Sequence, residues 1–258
     1  MTRRETFATT HISKKEFVLA TDLDGTFLGG DKTARQDFYR WLESHRMRVG
    51  LIFVTGRDPD FIRDLCKNGD VPRPDYLVGD VGTTIASVSD DHEITPIVAL
   101  EDHISKAWGD AGDRVRDALA DMPGLALQPT SFRYRLSYDL DPNAFDPRAV
   151  SLIEDMGLDA LVSDNRFFDV LPKGISKGPT LRRLLDHLGV DESRTLAAGD
   201  TLNDLSMLTV GLPAVAVGNS EAALVERISG IDHVYHADGP GVTGIAEAIT
   251  HFRMFPVA

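Results

Sequence analysis

The chain has 258 residues, 42% of them hydrophobic and 26% charged, which is enough apolar surface for a packed core and excludes a mostly disordered protein. Its 27 Lys and Arg against 40 Asp and Glu give a formal net charge of −13, which repels phosphate backbones and argues against nucleic acid as a partner while leaving room for a local basic pocket. No uninterrupted apolar run reaches the ~18 residues of a membrane span, and one cysteine, Cys66, excludes an internal disulfide and a thiolate zinc cluster.

Residues 1–16 read as a polar leader, with Arg3, Arg4, Lys14 and Lys15 offset by Glu5 and Glu16. The apolar run that follows is too short for a signal-peptide core, so the cytoplasm is the expected compartment. Residues 17–22 are predicted as a buried strand. Residues 34–46 have helical spacing, with Phe38, Trp41 and Leu42 on one face. Residues 49–55 form a second buried strand, Asp58-Pro59 reads as a helix cap followed by proline at the first helical position, and residues 76–79 form a third strand. Near-continuous apolar strands alternating with helices predict a parallel sheet covered on both faces.

The middle of the chain has a different grammar. Helical stretches are expected over residues 104–120 and 147–156. Between them, Phe132, Tyr134, Leu136 and Tyr138 alternate with Arg133, Arg135 and Ser137 over residues 131–138. That period of two marks an antiparallel strand, with the arginine face expected toward solvent. Residues 167–171 are another strand, and Arg166 falls at the hairpin before it. The first grammar then returns: a helix over 177–188 stopped by Gly189, strands over 195–199 and 213–217, a short helix over 203–208, and helices over 221–227 and 242–252. The expected architecture is α/β: a Rossmann-like core of parallel sheet with helices on both faces (residues 1–85 and 174–258), plus a smaller inserted α+β domain (residues 86–173).

The chemistry-bearing residues cluster at predicted strand ends. Asp22-Leu23-Asp24-Gly25-Thr26 closes the first strand. Residues two apart on a strand face the same way, so both carboxylates project from its C-terminal end if the extended geometry persists, and that end is where open α/β sheets bind ligands. Thr55-Gly56-Arg57 ends the second strand with a hydroxyl and backbone N–H groups suited to a phosphate oxygen. Asp200-Thr201-Leu202-Asn203-Asp204 ends a late strand. If these strands are neighbours, Asp22, Asp24, Asp200 and Asp204 converge, and each pair of carboxylates ~4 Å apart repels by about 4 kcal/mol at an effective dielectric near 20. A cation or protonation must compensate. An all-oxygen set without His or Cys calls for a hard ion, most simply Mg²⁺, whose preferred partners are phosphate oxygens. The inferred reaction is phosphoryl transfer. Lys177, at the start of a helix where its charge opposes the helix dipole, suits anion binding; Lys173 reads as a solvated surface lysine.

These pieces, in this order, resemble the haloacid dehalogenase-like phosphatases, in which Asp22-x-Asp24, Thr55, Lys177 and Asp200 with Asn203-Asp204 match four successive motifs. The insert resembles the α/β cap of the subclass that carries it after the second motif. Within that subclass the chain is similar to the sucrose-phosphate phosphatase and mannosylfructose-phosphate phosphatase branch, through Thr55-Gly56-Arg57, Val81-Gly82-Thr83, residues 136–142 and Asp169-Val170-Leu171-Pro172 leading to Lys177-Gly178. Broader relatives carry Asn-Gly where this chain has Val81-Gly82, and plant and cyanobacterial sucrose phosphatases often carry Asn where it has Gly25.

The resemblance implies that Asp22 attacks phosphorus to form an aspartyl-phosphate, and that Asp24 protonates the leaving oxygen and later takes a proton from water. Mg²⁺ would be held by Asp22, the carbonyl of Asp24 and Asp200, with Asp204 and Asn203 orienting the metal shell and Lys177. Thr55 and Lys177 would bind phosphoryl oxygens, with Gly56, Arg57, Asn203 and, from the cap, Arg133, Arg135, Arg166 and Asp169 as candidate substrate contacts, the Arg133/Arg135 face reading more simply as solvent-facing strand. The implied substrate is a small-molecule sugar phosphate, most simply sucrose 6-phosphate or mannosylfructose phosphate. The expected protein is a monomer with an upstream glycosyltransferase and no nucleic-acid or membrane partner. A generalist sugar-phosphate phosphatase and a phosphomutase of the same fold share the aspartyl-phosphate, and the motifs do not separate them. A receiver-like signalling module fits poorly, because it needs about half this length and places its acceptor on a middle strand. Trp41, Trp108, His233, His236 and Cys66 read as packing or structural residues.

Overall fold

The structure, a computed structural model, describes residues 11–130 and 132–257. Most of the leader and the first residue of the strand expected over 131–138 lie outside them.

Six strands form the parallel part of a large sheet: β1 (Phe17–Thr21), β2 (Val49–Val54), β3 (Tyr76–Gly79), and late in the chain β10 (Thr195–Gly199), β11 (Ala214–Ala216) and β12 (Val234–His236). Two antiparallel strands, β4 (Thr84–Val88) and β5 (Ile94–Pro96), extend it, so that the order is β12-β11-β10-β1-β2-β3-β4-β5. The central strand β1 pairs with β10 on one side and β2 on the other, both parallel. Sequence-adjacent strands thus run outward from β1 in one direction and late strands in the other, which opens a crevice at the C-terminal ends.

Strand alternation divides the core between two helical layers. Phe17 and Leu19 of β1 pack with α1 (Lys32–Ser44), α2 (Pro59–Lys67) and α9 (Val242–His251). Val18 and Ala20 face the other layer, built from α6 (Lys177–Leu188), α7 (Leu205–Leu208), α8 (Ala222–Ile228) and part of α3 (Val98–Trp108). Strands buried on both faces need apolar residues at every position, and all of β1 and β2 are buried. Asp58 caps α2 by accepting from the Phe61 N–H at 3.0 Å, with Pro59 at the first helical position.

The middle of the chain forms a second, four-stranded antiparallel sheet, ordered β6 (Leu125–Leu127), β7 (Leu136–Leu140), β9 (Phe167–Pro172) and β8 (Leu158–Ser163). It has its own core, in which Leu136, Tyr138, Phe168 and Val170 pack on α4 (Ala111–Leu119) and α5 (Arg148–Asp155). The single helix expected over 104–120 is two helices, because Gly109 adopts a positive φ of 53° and breaks α3 from α4. The strand expected over 131–138 begins only at Leu136. Phe132 and Tyr134 alternate in sequence, but the segment carrying them leaves the ladder to reach the large sheet. Among the described residues no helix is long and apolar enough to cross a membrane.

Candidate active site

Asp22 follows β1 directly, and its backbone N–H donates to the Ala198 carbonyl of β10 at 2.9 Å. Extended geometry ends there. Leu23–Phe27 coil into one wide turn with Gly25 at φ 80°. A Cβ on Gly25 would stand 2.1 Å from a carboxylate oxygen of Asp200, so glycine is required both for the backbone angle and for this approach. The turn also separates the two aspartates expected to face alike. Asp22 points inward, whereas Asp24 is half-exposed and pairs with Arg57 through two bonds of 2.7 and 2.9 Å.

Asp22, Asp200 and Asp204 bring one carboxylate oxygen each within 4.8 Å of one another, and all three are buried. Lys177 bridges two of them. Its Nζ donates to Asp22 Oδ1 at 2.6 Å, Asp204 Oδ1 at 2.7 Å and Asn203 Oδ1 at 2.7 Å. The lysine is 0% exposed, so it is positioned by its surroundings and not by solvent. Asp204 is saturated on its other side, where Oδ2 accepts the backbone N–H of Asp200 and Thr201 at 2.9 and 3.1 Å. Thr201 and Asp204 form a capping box that folds the loop back on itself. Asp204 therefore acts chiefly to hold Lys177 and the loop. Asp22 and Asp200 keep oxygen capacity that no described donor uses fully, and the Thr26 hydroxyl gives Asp200 one bond of 2.6 Å.

Three carboxylates face one ammonium here, which bonds two of them, and the imbalance bears on Asp22 and Asp200. Burial drives the Asp22 carboxyl well above the ordinary carboxylate value, with Lys177 opposing the shift and Asp204 and Asp200 adding to it. Asp200 is pushed up to about 7 by burial and by Asp204. Burial works against the charge of Lys177, yet Asp204 and Asp22 hold it above the ordinary lysine value. A hard divalent cation fits this donor set: oxygen only, buried, and carrying more negative charge than one lysine can balance.

Thr55 lies just beyond β2, buried, at the same edge of the sheet, since Thr21 and Phe53 are register partners. Its Oγ1 accepts the Arg57 N–H at 3.2 Å. The neighbouring loop of residues 80–82 locks this turn, with Val81 N–H donating to the Thr55 carbonyl at 3.1 Å. Gly82 has φ 102°, and a Cβ there would stand 2.5 Å from the carbonyl carbon of Ser176, so this loop packs directly on the start of α6 where Lys177 sits.

Asp169 and Arg166, two of the residues expected from the smaller domain, make no hydrogen bond or ion pair to the acidic cluster among the described residues. Asp169 is buried in β9, where it accepts from Arg135 and Ser137. The Arg166 side chain is 70% exposed, 3.9 Å from Asp164 and over the Phe167 ring. The expectation that Arg133 and Arg135 face solvent is overturned for Arg135, which is 5% exposed and spans the two sheets. Arg133 is half-exposed, but its guanidinium grips the buried Glu101 at 2.7 and 2.8 Å. Alternation read these arginines as one solvent face; their carboxylate partners lie about 30 residues away in either direction and carry no local signal. Lys173 is a surface lysine paired with Asp159, His233 bonds the Leu208 carbonyl, and burial pushes the Cys66 thiol up to about 11. Asn219 was missed: it donates to the Gly25 carbonyl at 3.0 Å and accepts the Gly241 N–H at 2.8 Å, clamping the first turn from a loop after β11. Its position in a Gly-Asn-Ser turn after a buried strand was the available signal.

A parallel sheet with a switch point at β1, an aspartate-rich turn leaving that strand and a helix-start lysine bridging it to a second acidic loop together fit the haloacid dehalogenase-like fold. The solved structures agree. The sucrose-phosphatase of Synechocystis, determined with sucrose and phosphate, superposes with a TM-score of 0.84 at 26% identity, covering 93% of this chain and 98% of that one. A haloacid dehalogenase-like hydrolase from Bacillus subtilis gives 0.65 at 17% identity, covering 96% and 95% of the two chains, which shows the fold alone. The profile of the sucrose-6F-phosphate phosphohydrolase family matches residues 15–253, and the chain belongs to that family. That family is described as one of phosphohydrolases. A glucosylglycerol-phosphate synthase of Pseudomonas anguilliseptica is 38% identical over 236 residues, 91% of this chain but 30% of its own length. The mannosylfructose-phosphate phosphatase of Agrobacterium fabrum is 28% identical, covering 93% of this chain and 98% of its own. A HAD-like hydrolase of Nitrosococcus oceani is 32% identical over 81% of this chain and 60% of its own. The chain thus spans less than two thirds of the first and third of these relatives and nearly all of the second.

Proposed function

We propose that the protein is a Mg²⁺-dependent phosphatase that hydrolyses a phosphorylated disaccharide or glycoside. The observation that carries this reading is the buried bridge from Lys177 to Asp22 and Asp204, with Asp200 beside it, at the open edge of the sheet. Asp22, Asp200 and the backbone carbonyl of Asp24 are the groups that would hold Mg²⁺. When bound, the ion supplies positive charge against the phosphate dianion and the surplus carboxylates.

Asp22 is the nucleophile: an oxygen lone pair attacks phosphorus, the bond to the sugar oxygen breaks, and an aspartyl-phosphate forms. Asp24 gives its proton to the departing oxygen, then accepts one from the water that cleaves the acyl phosphate. For this, Arg57 must release at least one of its two bonds to Asp24. A substrate anion that draws Arg57 away would unmask the acid. Lys177 and Thr55 bind the phosphoryl oxygens, and Gly56, Arg57 and Asn203 line the approach. Within residues 86–173, the four-stranded sheet with α4 and α5 acts as a cap that covers the sugar and excludes water, with β8 lying against Leu202–Asp204, while the end of β4 and β5 continue the large sheet. Arg166 and Asp169 are the cap's proposed substrate side. We place the enzyme in the cytoplasm as a monomer, downstream of a glycosyltransferase that makes its phosphorylated substrate.

Two substrate groups are supported by different relatives. The sucrose and mannosylfructose phosphatases favour a disaccharide phosphate. The higher identity to part of a glucosylglycerol-phosphate synthase favours glucosylglycerol phosphate. The test is phosphate release with Mg²⁺ from sucrose 6-phosphate, mannosylfructose phosphate, glucosylglycerol phosphate, trehalose 6-phosphate and glucose 6-phosphate, each beside EDTA and Asp22→Asn. One compound dominating and silenced by both controls establishes substrate and nucleophile together. Release untouched by Asp22→Asn overturns the mechanism, and transfer of phosphate to a second sugar in place of water identifies a mutase.

A further inference from the structure

Arg135 ties the smaller sheet to the turn that carries Thr55. From one Nη it donates to Asp169 Oδ1 at 2.9 Å, and from the other to the Gly56 carbonyl at 2.8 Å. Asp169 also accepts from Ser137 on the neighbouring strand, and the Phe132 ring lies 3.7 Å from the guanidinium carbon. The Asp80 carboxylate stands 3.6 Å away, close enough to attract but not to accept a hydrogen bond. The fork is therefore fixed on one arm by the cap and on the other by the core.

The core arm ends on a peptide group whose other side matters. A peptide is planar and trans, so the carbonyl of Gly56 and the N–H of Arg57 point in opposite directions. The carbonyl meets Arg135; the N–H meets Thr55 Oγ1 at 3.2 Å. A hydroxyl that accepts from a backbone N–H keeps its own proton free to donate elsewhere. Holding the carbonyl thus fixes which way the Thr55 hydroxyl can give its hydrogen.

We propose that Arg135 is a positioning residue that, from the smaller sheet, holds the Gly56–Arg57 peptide so that the Thr55 hydroxyl donates toward the phosphoryl group, making the phosphate-binding turn complete only when the cap is seated on the core. This rests on the phosphatase reading above. A purely structural Arg135 would instead hold the two sheets together, or help to grip the sugar, without acting through Thr55.

A double-mutant cycle separates these roles. Arg135→Lys keeps the charge but cannot reach both partners with one ammonium; Thr55→Val keeps the shape and removes the hydroxyl. Both single variants and the double variant are assayed with Mg²⁺ on 4-nitrophenyl phosphate, which has no sugar for a cap to grip, and on the best sugar phosphate. Thermal unfolding followed by circular dichroism establishes that each is folded. The expected result is a kcat loss of about tenfold or more for Arg135→Lys on both substrates with KM within ~3-fold, and a double variant no worse than Thr55→Val alone. Additive losses overturn the proposal, as does a KM rise confined to the sugar phosphate. If Arg135→Lys does not fold, Asp169→Asn, which loosens the other arm, takes its place in the cycle with the same outcomes. Wild-type protein that releases no phosphate from any compound sinks the phosphatase reading and this inference with it; active wild type with an additive cycle sinks this inference alone.

Discussion

The acidic cluster at the open edge of the large sheet and the arginine seam between the two sheets are both buried, charged and assembled from distant segments, but they balance charge differently. At the cluster, Lys177 bonds Asp22 and Asp204 while Asp200 stands beside them, so negative charge is left over. At the seam, Arg133 grips Glu101 in fork geometry, while Arg135 gives one bond to Asp169 and one to the Gly56 carbonyl, with the Asp80 carboxylate 3.6 Å away. A buried surplus is costly unless something arrives to neutralise it, whereas the seam, closer to balance, meets most of its own needs and leaves only Asp80 Oδ1 and Arg135 Nε without a hydrogen bond among its described atoms. The difference teaches where to look for a ligand: at the unbalanced site. Asp80, whose carboxyl burial pushes up against the pull of Arg135, is a point at which the seam shares the strain of the cluster.

The sharpest way to break this comparison is to remove the nucleophile. Asp22→Asn keeps the shape, leaves Lys177 a neutral partner and is expected to lower phosphate release by at least ~10³-fold, read in steady-state assays, with little loss of thermal stability. A seam variant that matched it would erase the distinction.

Next is the response to metal and pH. Asp22, Asp200 and Asp80 all have folded-state values raised above the unfolded one, so the native state binds more protons than the unfolded chain in this window. The contribution of these three groups to the stability of the metal-free protein is therefore greatest below the unfolded carboxylate value of about 4. It falls as pH rises toward the folded value of about 7 for Asp200. Urea denaturation in EDTA from pH 4 to 8 should show that decline, and Mg²⁺ should reverse it at neutral pH while leaving the acid end unchanged. A flat profile, or equal stabilisation by Mg²⁺ at both ends, contradicts the charge surplus.

A smaller effect is expected at the seam. Glu101→Gln leaves Arg133 with a weaker partner and keeps the bond to the Ile85 N–H possible, so the loss should be ~1–2 kcal/mol, because Arg133 is half-exposed and solvent screens the pair. Denaturant titration measures it, and a loss as large as that of a core cavity would show the seam to be under strain after all. The smallest change is expected for Arg166→Ala, with folding stability altered by less than ~0.5 kcal/mol, since its contacts are exposed. Its effect on KM for the sugar phosphate decides whether the cap's hairpin reaches substrate.

Much of the sheet and of the acidic cluster could be read from the chain. Strands β1, β2, β3 and β10 announce themselves as apolar runs because parallel strands are buried on both faces, and each ends where its polar residues begin. The short strands β5 and β6 escaped detection, being three residues each and only half-buried or exposed. The break at Gly109 hid inside a helical pattern, since one glycine in a helix is tolerated in sequence and decisive only when its φ turns positive.

What the sequence by itself determined is the set of strand-end motifs: Asp22, Asp24, Thr55, Lys177, Asp200 and Asp204 are spaced so that a parallel sheet must gather them along one edge. Tertiary structure decided their orientation. The wide turn at Leu23–Phe27 sent Asp22 inward to Lys177 and Asp24 outward to Arg57. It also decided that Arg135 is buried, because a period of two in a sequence records which side of a strand a residue takes but not what lies there. Its partners Asp169, Gly56 and Asp80 come from both sheets, and only their packing together makes one arginine a bridge.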